Sequence, residues 1–415
     1  MSNHDHAAEI AVPEITLGSK AAGVERTAGI IGVAGLFLCA AGYFTDHEKF
    51  FQSYLFAFLF WAGFPIGGLG ILLLNNVVGG KWGVTIRRYL EASARTMPLI
   101  AAFFLIILLG TKDIYGWATQ ANVAANEFLK HKAGYLNFWG FTLRTAFNFA
   151  LWLFFVWRLT KLSDEQDLTG DPTIKDKLRK FSAPALLVFV LSVTVAYIDW
   201  IMSVDNQFYS TVFGGMVLIA NVQSTFALSI MALILTSEGD RFQNRVNAPI
   251  LHDLGKLLFA FTIFWTYLSA SQLIIIWPAN LPQEITWYLD RTDGFWKAIA
   301  TFVGLTMFAI PFLALLSQSR KKDPRRLIRV TLWIIVVNAI YMFWLVEPTF
   351  RGSSVSASPA LHTSPGFNIY WTDFAAFFGI GGIWVYYYIT QLRRRPLLPL
   401  KDPRLSPSLP REVIA

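Results

Sequence analysis

The sequence predicts an all-α integral membrane protein with ten transmembrane helices. Of its 415 residues, 54% are hydrophobic and only 15% are charged, whereas a soluble domain has about 25% charged residues. The mean hydropathy is +0.46. Apolar runs close to a span's length recur along the chain, and each can cross a hydrocarbon core of about 30 Å as an α-helix. Because the predicted number of spans is even, both termini are expected on one side.

The first span follows a polar tail of mixed charge, residues 1–25. This tail has neither the basic start nor the short apolar core of a cleaved signal, so we expect the first span to be retained. The single cysteine, Cys39, lies within that span, which excludes an internal disulfide and an iron–sulfur cluster held by this chain. The ten predicted spans are 26–44, 51–75, 94–112, 137–160, 181–203, 208–236, 254–278, 295–317, 327–346 and 368–391.

Basic residues are unevenly divided between the two sides of these spans. Because Lys and Arg collect in cytoplasmic loops, we expect both termini in the cytoplasm. The same bias explains the net charge of +8, and no nucleic-acid partner is expected. Segments on the side of the termini contain Arg87, Arg88, Lys175, Lys177, Arg179, Lys180, Arg241, Arg245, Arg320, Lys321, Lys322, Arg325, Arg326, Arg393, Arg394 and Arg395. The other side has chiefly Lys49, Lys130, Lys132, Arg291 and Arg351.

A weak internal repeat pairs spans two to five with spans six to nine. Span five ends in AYIDWIMSVD and span nine in IYMFWLVEP, and each has Tyr, then Trp three residues later, then an acid. An offset of four spans is even, so the two repeats are expected to have the same orientation in the membrane. Glycines in spans two, six and ten predict close contacts between helices.

Histidine placement argues against redox centres in this chain. The six histidines lie in tails or loops, whereas a membrane-embedded b-type haem takes its axial histidines from within spans. HExxH, CxxC and glycine-rich phosphate-binding motifs are absent from the sequence. We therefore expect any electron carriers to lie in other subunits. The histidines are His4, His6, His47, His131, His252 and His362.

Charged residues converge near the outer ends of the predicted spans. Asp199 lies near the end of span five, Asp205 in the short loop after it, and Arg144 about two turns into span four. Glu347 closes span nine, and Asp373 lies in the first turns of span ten. Intramembrane charges are costly unless paired or hydrated. We predict an outer polar pocket in which Arg144 pairs with Asp199 or Glu347, either as a helix-registering ion pair or as a proton or ligand site. For Glu347 and Asp205, a solvated helix end is the alternative.

The predicted middle of the membrane carries amides and hydroxyls instead of acids. These side chains can cross-link helices or hold waters, but they do not titrate. A complete proton relay made by this chain alone is therefore not expected. The amides are Asn148, Asn221, Gln223, Gln272 and Asn338.

Three sequence blocks resemble the F-subunit of bacterial alternative complex III, a quinol oxidoreductase with membrane subunits of the polysulfide reductase (NrfD-like) superfamily. The blocks are AYIDWIMSVDNQFYSTVFGG, LHDLGKLLFAFTIFWTYLSASQLIIIWPANLPQEITWYLDR and KAGYLNFWGFTLRT. The resemblance covers spans two to ten. It implies two parallel-repeat four-helix bundles, 51–203 and 204–346, flanked by peripheral helices within 26–50 and 347–392, with a cytoplasmic tail at 393–415.

The resemblance also implies a role in the bacterial inner membrane. The chain would be a subunit without a redox centre of its own, scaffolding the membrane core and contributing a proton pathway or quinol access on the outer side. Its expected partners are a related C-subunit, a multihaem cytochrome c subunit, an iron–sulfur subunit, small membrane subunits and lipids. Quinol, menaquinol or ubiquinol, would be the substrate, with haem c and iron–sulfur centres in the partners.

Two other functions stay open on the sequence: a purely structural anchor, and a secondary transporter, which can also have parallel repeats.

The resemblance also implies roles for particular residues of the three blocks. The residues implied by the resemblance are Asp199, Trp200 and Asp205 in the DWIMS block, Arg144 in the YLN block, and Gln272, Trp277 and Glu284 in the QLIIIWPANLPQE block.

Overall fold

The computed structural model describes residue 17, residues 19–80, 82–237, 247–279, 281–351 and 367–399, and residue 402. The secondary structure of these residues is helical, with two single 3-10 turns at Gly116–Ala118 and Met202–Val204. The α-helices are α1 Ser19–Thr45, α2 His47–Val78, α3 Trp82–Ala94, α4 Met97–Leu109, α5 Thr111–Ile114, α6 Gln120–Ala125, α7 Glu127–Lys132, α8 Phe138–Thr169, α9 Thr173–Trp200, α10 Phe213–Thr236, α11 Ala248–Ala279, α12 Pro282–Thr292, α13 Gly294–Leu316, α14 Gln318–Lys322, α15 Pro324–Arg351 and α16 Trp371–Arg393.

Nine stretches of the described chain are long and apolar enough to cross a membrane, which confirms the multi-pass class. The tenth predicted span, 368–391, corresponds to α16, a 23-residue helix that is not one of the nine. Three glycines and three tyrosines reduce the apolarity of α16, so the count of ten stays a prediction. The nine stretches are Ala21–Thr45, His47–Val78, Trp82–Leu109, Phe138–Thr169, Thr173–Val204, Phe213–Thr236, Ala248–Ala279, Gly294–Leu316 and Pro324–Arg351.

The long helices alternate in direction and leave two ends. The end that holds the start of α1 and the end of α16 is here named the terminus end, where Arg393 donates to Glu25 at 2.5 Å. The other is named the opposite end, where Ser53 near the start of α2 donates to Asp373 near the start of α16 at 2.6 Å. The predicted cytoplasmic side corresponds to the terminus end.

Helices α2 and α10 form the centre of the protein. Their apolar windows are 89% and 78% buried, against 22% for α11 and for α13. The exposed apolar side chains therefore lie chiefly on the surrounding helices, where lipid would replace protein contacts.

The surrounding helices form two circuits of contacts. In the first, α2 contacts α4, α4 contacts α8, α8 contacts α9, and α9 returns to α2. In the second, α10 contacts α11, α11 contacts α13, α13 contacts α15, and α15 returns to α10. The two circuits meet where α2 packs against α10 and α15.

Helices α1 and α16 pack against each other through glycine. A Cβ atom on Gly32 would lie 2.5 Å from the backbone nitrogen of Ile383, and a Cβ on Gly35 would lie 2.5 Å from the Cα of Gly379. Real Cβ atoms do not approach so closely, so the backbones touch only because these residues lack side chains. The contact predicted from glycines in span ten is confirmed at Gly379.

Two predicted boundaries are wrong for the same physical reason. Span three was expected over 94–112, with Arg87 and Arg88 in a loop before it; instead α3 begins at Trp82, and both arginines are buried within it. Arg351, expected in an outer loop, lies in the last turn of α15 and is also buried. In each case an acid on the same helix and an acid from another segment neutralise the guanidinium, so the helix includes charges that a lone span would exclude.

Candidate functional site

The Arg144–Asp199 pair joins the start of α8 to the end of α9. Asn137 caps α8 by accepting a hydrogen bond from the amide of Gly140 at 2.8 Å. Two turns later, Arg144 donates to Asp199 through both Nε–Oδ2, at 2.7 Å, and Nη2–Oδ1, at 3.1 Å. This bidentate geometry is the strongest form of the pair. Of the two partners predicted for Arg144, the structure selects Asp199.

One side of this pair opens to the surface. The Asp199 side chain is 1% exposed, whereas that of Arg144 is 23% exposed. Arg144 also donates to the carbonyl oxygen of Tyr135 at 2.9 Å, and its guanidinium lies 3.8 Å from the centre of the Tyr135 ring. Burial, with the nearby Asp199 carboxylate, raises the pKa of the Tyr135 phenol to about 12. Tyr135 therefore covers the pair as a neutral side chain at physiological pH.

Trp200, the next residue, is a fully buried part of the same end. Its indole nitrogen donates to Thr145 at 3.1 Å, and its carbonyl oxygen accepts from the Tyr115 hydroxyl at 3.0 Å. Nearby, Ser203 donates to the carbonyl oxygen of Asp199 at 2.5 Å. These contacts fix the end of α9, so Trp200 holds the ion pair in place and has no free polar atom to offer a ligand.

Asp205 shapes the loop after α9. Its Oδ1 accepts hydrogen bonds from the amides of Gln207 and Phe208 at 2.9 and 3.1 Å. Lys132 donates to the carbonyl oxygen of the intervening Asn206 at 2.9 Å. Asp205 is thus engaged in a turn, and the structure does not bring it into the Arg144–Asp199 pair.

A second cluster at the opposite end is built on Arg351. Its Nε donates to Glu347 at 2.8 Å, and its Nη2 donates to both oxygens of Asp373 at 2.7 and 2.8 Å. Asp373 also accepts from the Ser53 hydroxyl at 2.6 Å and from the Tyr370 amide at 2.8 Å. The cluster joins α15 and α16 to the start of α2. Glu347 is neither the partner of Arg144 nor a solvated helix end, the two roles that the sequence predicts for it. It is fully buried, and its partner is Arg351.

The Arg351 cluster is buried and, among the described residues, holds more acid than base. The side chains of Arg351, Glu347 and Asp373 are 1%, 0% and 5% exposed. Within the described chain, Oε1 of Glu347 and Nη1 of Arg351 have no hydrogen-bond partner. One guanidinium thus faces two carboxylates in a buried site, and a single proton on a carboxylate would balance the charge.

The residues of the QLIIIWPANLPQE block lie apart from these clusters. Gln272 is 3% exposed within α11, and Trp277 on the same helix is 60% exposed. The side chain of Glu284 is outside the described residues. Among the described side chains, no hydrogen bond or ion pair links Gln272 to Arg144, Asp199 or Asp373. The predicted single outer pocket is therefore two separate clusters, with Gln272 in neither.

The buried amides of α10 cross-link helices, as expected. Asn221 donates to the Tyr197 hydroxyl of α9 at 2.6 Å. Gln223 donates to the Thr262 hydroxyl of α11 at 2.9 Å. Asn221 and Gln223 are neutral groups that connect α10 to one helix of each circuit.

A charged network at the terminus end was missed by the sequence analysis. Glu91 of α3 accepts from Arg87 at 2.9 Å, from Arg88 at 2.7 Å and from Ser163 of α8 at 2.6 Å. Arg88 also pairs with Asp167 of α8. The spacing of Arg87 and Arg88 from Glu91, four and three residues, is the helical signal that could have identified this network.

Within the described residues, no group of three or more His, Cys, Asp or Glu side chains is placed to hold a metal ion. Chemically, the arrangement offers buried ion pairs at both ends of the protein. In the Arg351 cluster, two carboxylates share one guanidinium. No protein-family model matches the sequence, and a comparison with curated proteins found no similar chain.

Proposed function

We propose that this chain is an integral membrane subunit of a quinol:acceptor oxidoreductase of the alternative complex III type, with no redox centre of its own. The observation that carries the proposal is the meeting of two of the resembling blocks. KAGYLNFWGFTLRT forms the start of α8 and supplies Arg144; AYIDWIMSVD forms the end of α9 and supplies Asp199. Two of the three resembling stretches thus contribute the two halves of one ion pair.

The proposed architecture is ten transmembrane helices in two parallel-repeat four-helix bundles with two peripheral helices. The two circuits of helix contacts support this duplication, because each joins four successive long segments in the same order. The proposed orientation places both termini in the cytoplasm of a bacterium, so the Arg144 and Arg351 clusters face the outer side of its inner membrane.

The proposed role is to scaffold the membrane core between a related C-subunit, small membrane subunits and outer redox subunits that carry haem c and iron–sulfur centres. Oxidation of menaquinol or ubiquinol releases protons, and carboxylates at the outer side are suitable acceptors. Glu347 and Asp373, which share one guanidinium, are the proposed place for such a proton. Arg144, which is partly exposed, is the proposed point of contact with quinol or solvent.

A structural anchor is the second candidate, and a specific observation favours it. Asp373 already accepts hydrogen bonds from Arg351, Ser53 and the Tyr370 amide, which come from three different segments. A carboxylate with this many fixed partners joins helices efficiently and has little freedom to exchange a proton.

Quinol turnover by the assembled complex distinguishes the two roles. We expect Glu347→Gln and Asp199→Asn to lower quinol oxidation, or proton release per electron, while the complex still assembles. Asp253→Asn is the matched control, because Asp253 is an exposed acid at the terminus end. Full turnover and full proton release in all three variants, with intact assembly, would support the anchor and contradict the proton role.

A further inference from the structure

At the terminus end, α8 and α16 border an open groove of about 450 Å³. This volume is within the range of small-molecule sites, roughly 300–1,000 Å³. Arg95, Arg394 and Arg395 form its polar part, and Val156, Trp157 and Tyr387 are among the apolar residues along its wall. The groove is thus divided into a cationic end and an apolar end.

Of the three arginines of the groove, Arg394 has no carboxylate partner among the described residues. Nη2 of Arg95 lies 3.6 Å from Oδ1 of Asp164, which is beyond hydrogen-bond distance. Nε and Nη2 of Arg95 are buried and have no hydrogen-bond partner in the described chain. Arg395 also pairs with Asp164 and lies 4.0 Å from Glu91, so Arg95 and Arg395 share these two carboxylates. Arg394 is exposed. An anion in the groove can therefore reach Arg394, whereas the Nε and Nη2 atoms of Arg95 are buried.

The apolar wall lies where a lipid chain would run. Trp157 is 55% exposed on α8, and the ammonium of Lys161, one turn further on, lies 5.3 Å from the centre of its ring. A tryptophan beside lysine and arginine is the arrangement found at the level of lipid headgroups. Basic pockets between transmembrane helices bind the headgroups of anionic lipids.

We propose that this groove binds one anionic phospholipid, with the phosphate on Arg394, beside Arg95 and Arg395, and an acyl chain along Val156 and Trp157. The cationic end and the apolar wall together favour this occupant. A free anion would leave the apolar wall exposed, and a zwitterionic lipid would bring its own cation close to the arginines. The proposal does not depend on the function proposed above.

Native mass spectrometry of the full chain in detergent tests this site. Phosphatidylglycerol and phosphatidylcholine are the lipid probes, and inorganic phosphate and glycerol phosphate are the competitors. We expect the wild type to retain phosphatidylglycerol preferentially, and Arg394→Gln to weaken its binding about fivefold, the effect of one interfacial arginine. Arg394→Lys should restore most of the binding, because the charge returns.

Arg325→Gln is the matched control, since Arg325 is an exposed arginine at the same end on α15, away from the groove. Trp157→Ala should weaken the lipid without changing phosphate binding. Equal loss in the Arg325 and Arg394 variants, equal binding of the two lipids, or displacement of the lipid by inorganic phosphate alone would each overturn the proposal. Because Arg394 is exposed, its variants should fold, which an unchanged thermal unfolding temperature verifies.

Discussion

Replacing Arg351 by glutamine would leave two buried carboxylates without their shared positive charge. Arg351 makes three charge-assisted hydrogen bonds of 2.7–2.8 Å, to Glu347 and Asp373, and all three side chains are at most 5% exposed. Removing one partner of a buried ion pair costs about 3–5 kcal/mol. Since whole domains are stable by only about 5–15 kcal/mol, Arg351→Gln should destabilise the protein strongly.

Thermal unfolding of the full chain in detergent measures this effect. We expect the unfolding temperature of Arg351→Gln to fall by roughly 5–10 °C at neutral pH. Lowering the pH should restore part of the loss, because a proton on a carboxylate can replace the missing guanidinium charge.

Arg326→Gln is the control for this experiment. Arg326 pairs with Asp323 at 3.0 Å, but their side chains are 53% and 38% exposed, and pairs of this kind contribute about 0–1 kcal/mol. If Arg351→Gln unfolds at the same temperature as Arg326→Gln at every pH, the reasoning about the buried, acid-rich cluster is wrong.

Three further predictions concern other parts of the molecule. Asp199→Asn should lower the unfolding free energy, measured by chemical denaturation, by about 1–3 kcal/mol, because Arg144, which is 23% exposed, loses its bidentate partner but keeps access to solvent; no change would show that solvent already screens the pair. Gly35→Leu should destabilise the α1–α16 contact by at least about 1–3 kcal/mol, whereas Gly23→Leu, with open space at its Cβ, should not. Because the pKa of Tyr135 is raised from 10.0 to about 12, the neutral phenol contributes stability that is full below pH 10 and is lost as the pH rises towards 12. Tyr135→Phe should therefore lose less stability than the wild type between pH 10 and pH 12, and identical pH profiles for the two proteins would contradict the raised pKa.

The sequence predicted well those features that depend on local composition. Apolar runs identified the spans because length and hydropathy are properties of a single segment. Arg144 and Asp199 could be expected to pair because each lies near the same end of adjacent spans and an unpaired charge there is costly. Gly379 indicated a close helix contact because only glycine permits one, although the sequence did not identify α1 as the partner helix.

The features that were missed depend on contacts between distant residues. Arg351 and Glu347 are four residues apart, but Asp373 is 22 residues from Arg351 and Ser53 is 320 residues from Asp373. An arginine at the end of an apolar run predicts a solvated loop unless the partners of the arginine are known. Arg87 and Arg88 were assigned to a loop for the same reason, although Glu91 on the same helix face was a local hint.

The composition of the assembly that this chain forms in its native membrane tests the central claim most directly. Affinity purification of the tagged full-length chain, followed by subunit identification and an absorption spectrum, is the measurement. We predict a complex that contains a multihaem cytochrome c and a large iron–sulfur protein, with all haem absorbance assigned to those partners. Recovery of the chain alone, or stoichiometric iron ligated by this polypeptide, would contradict the account.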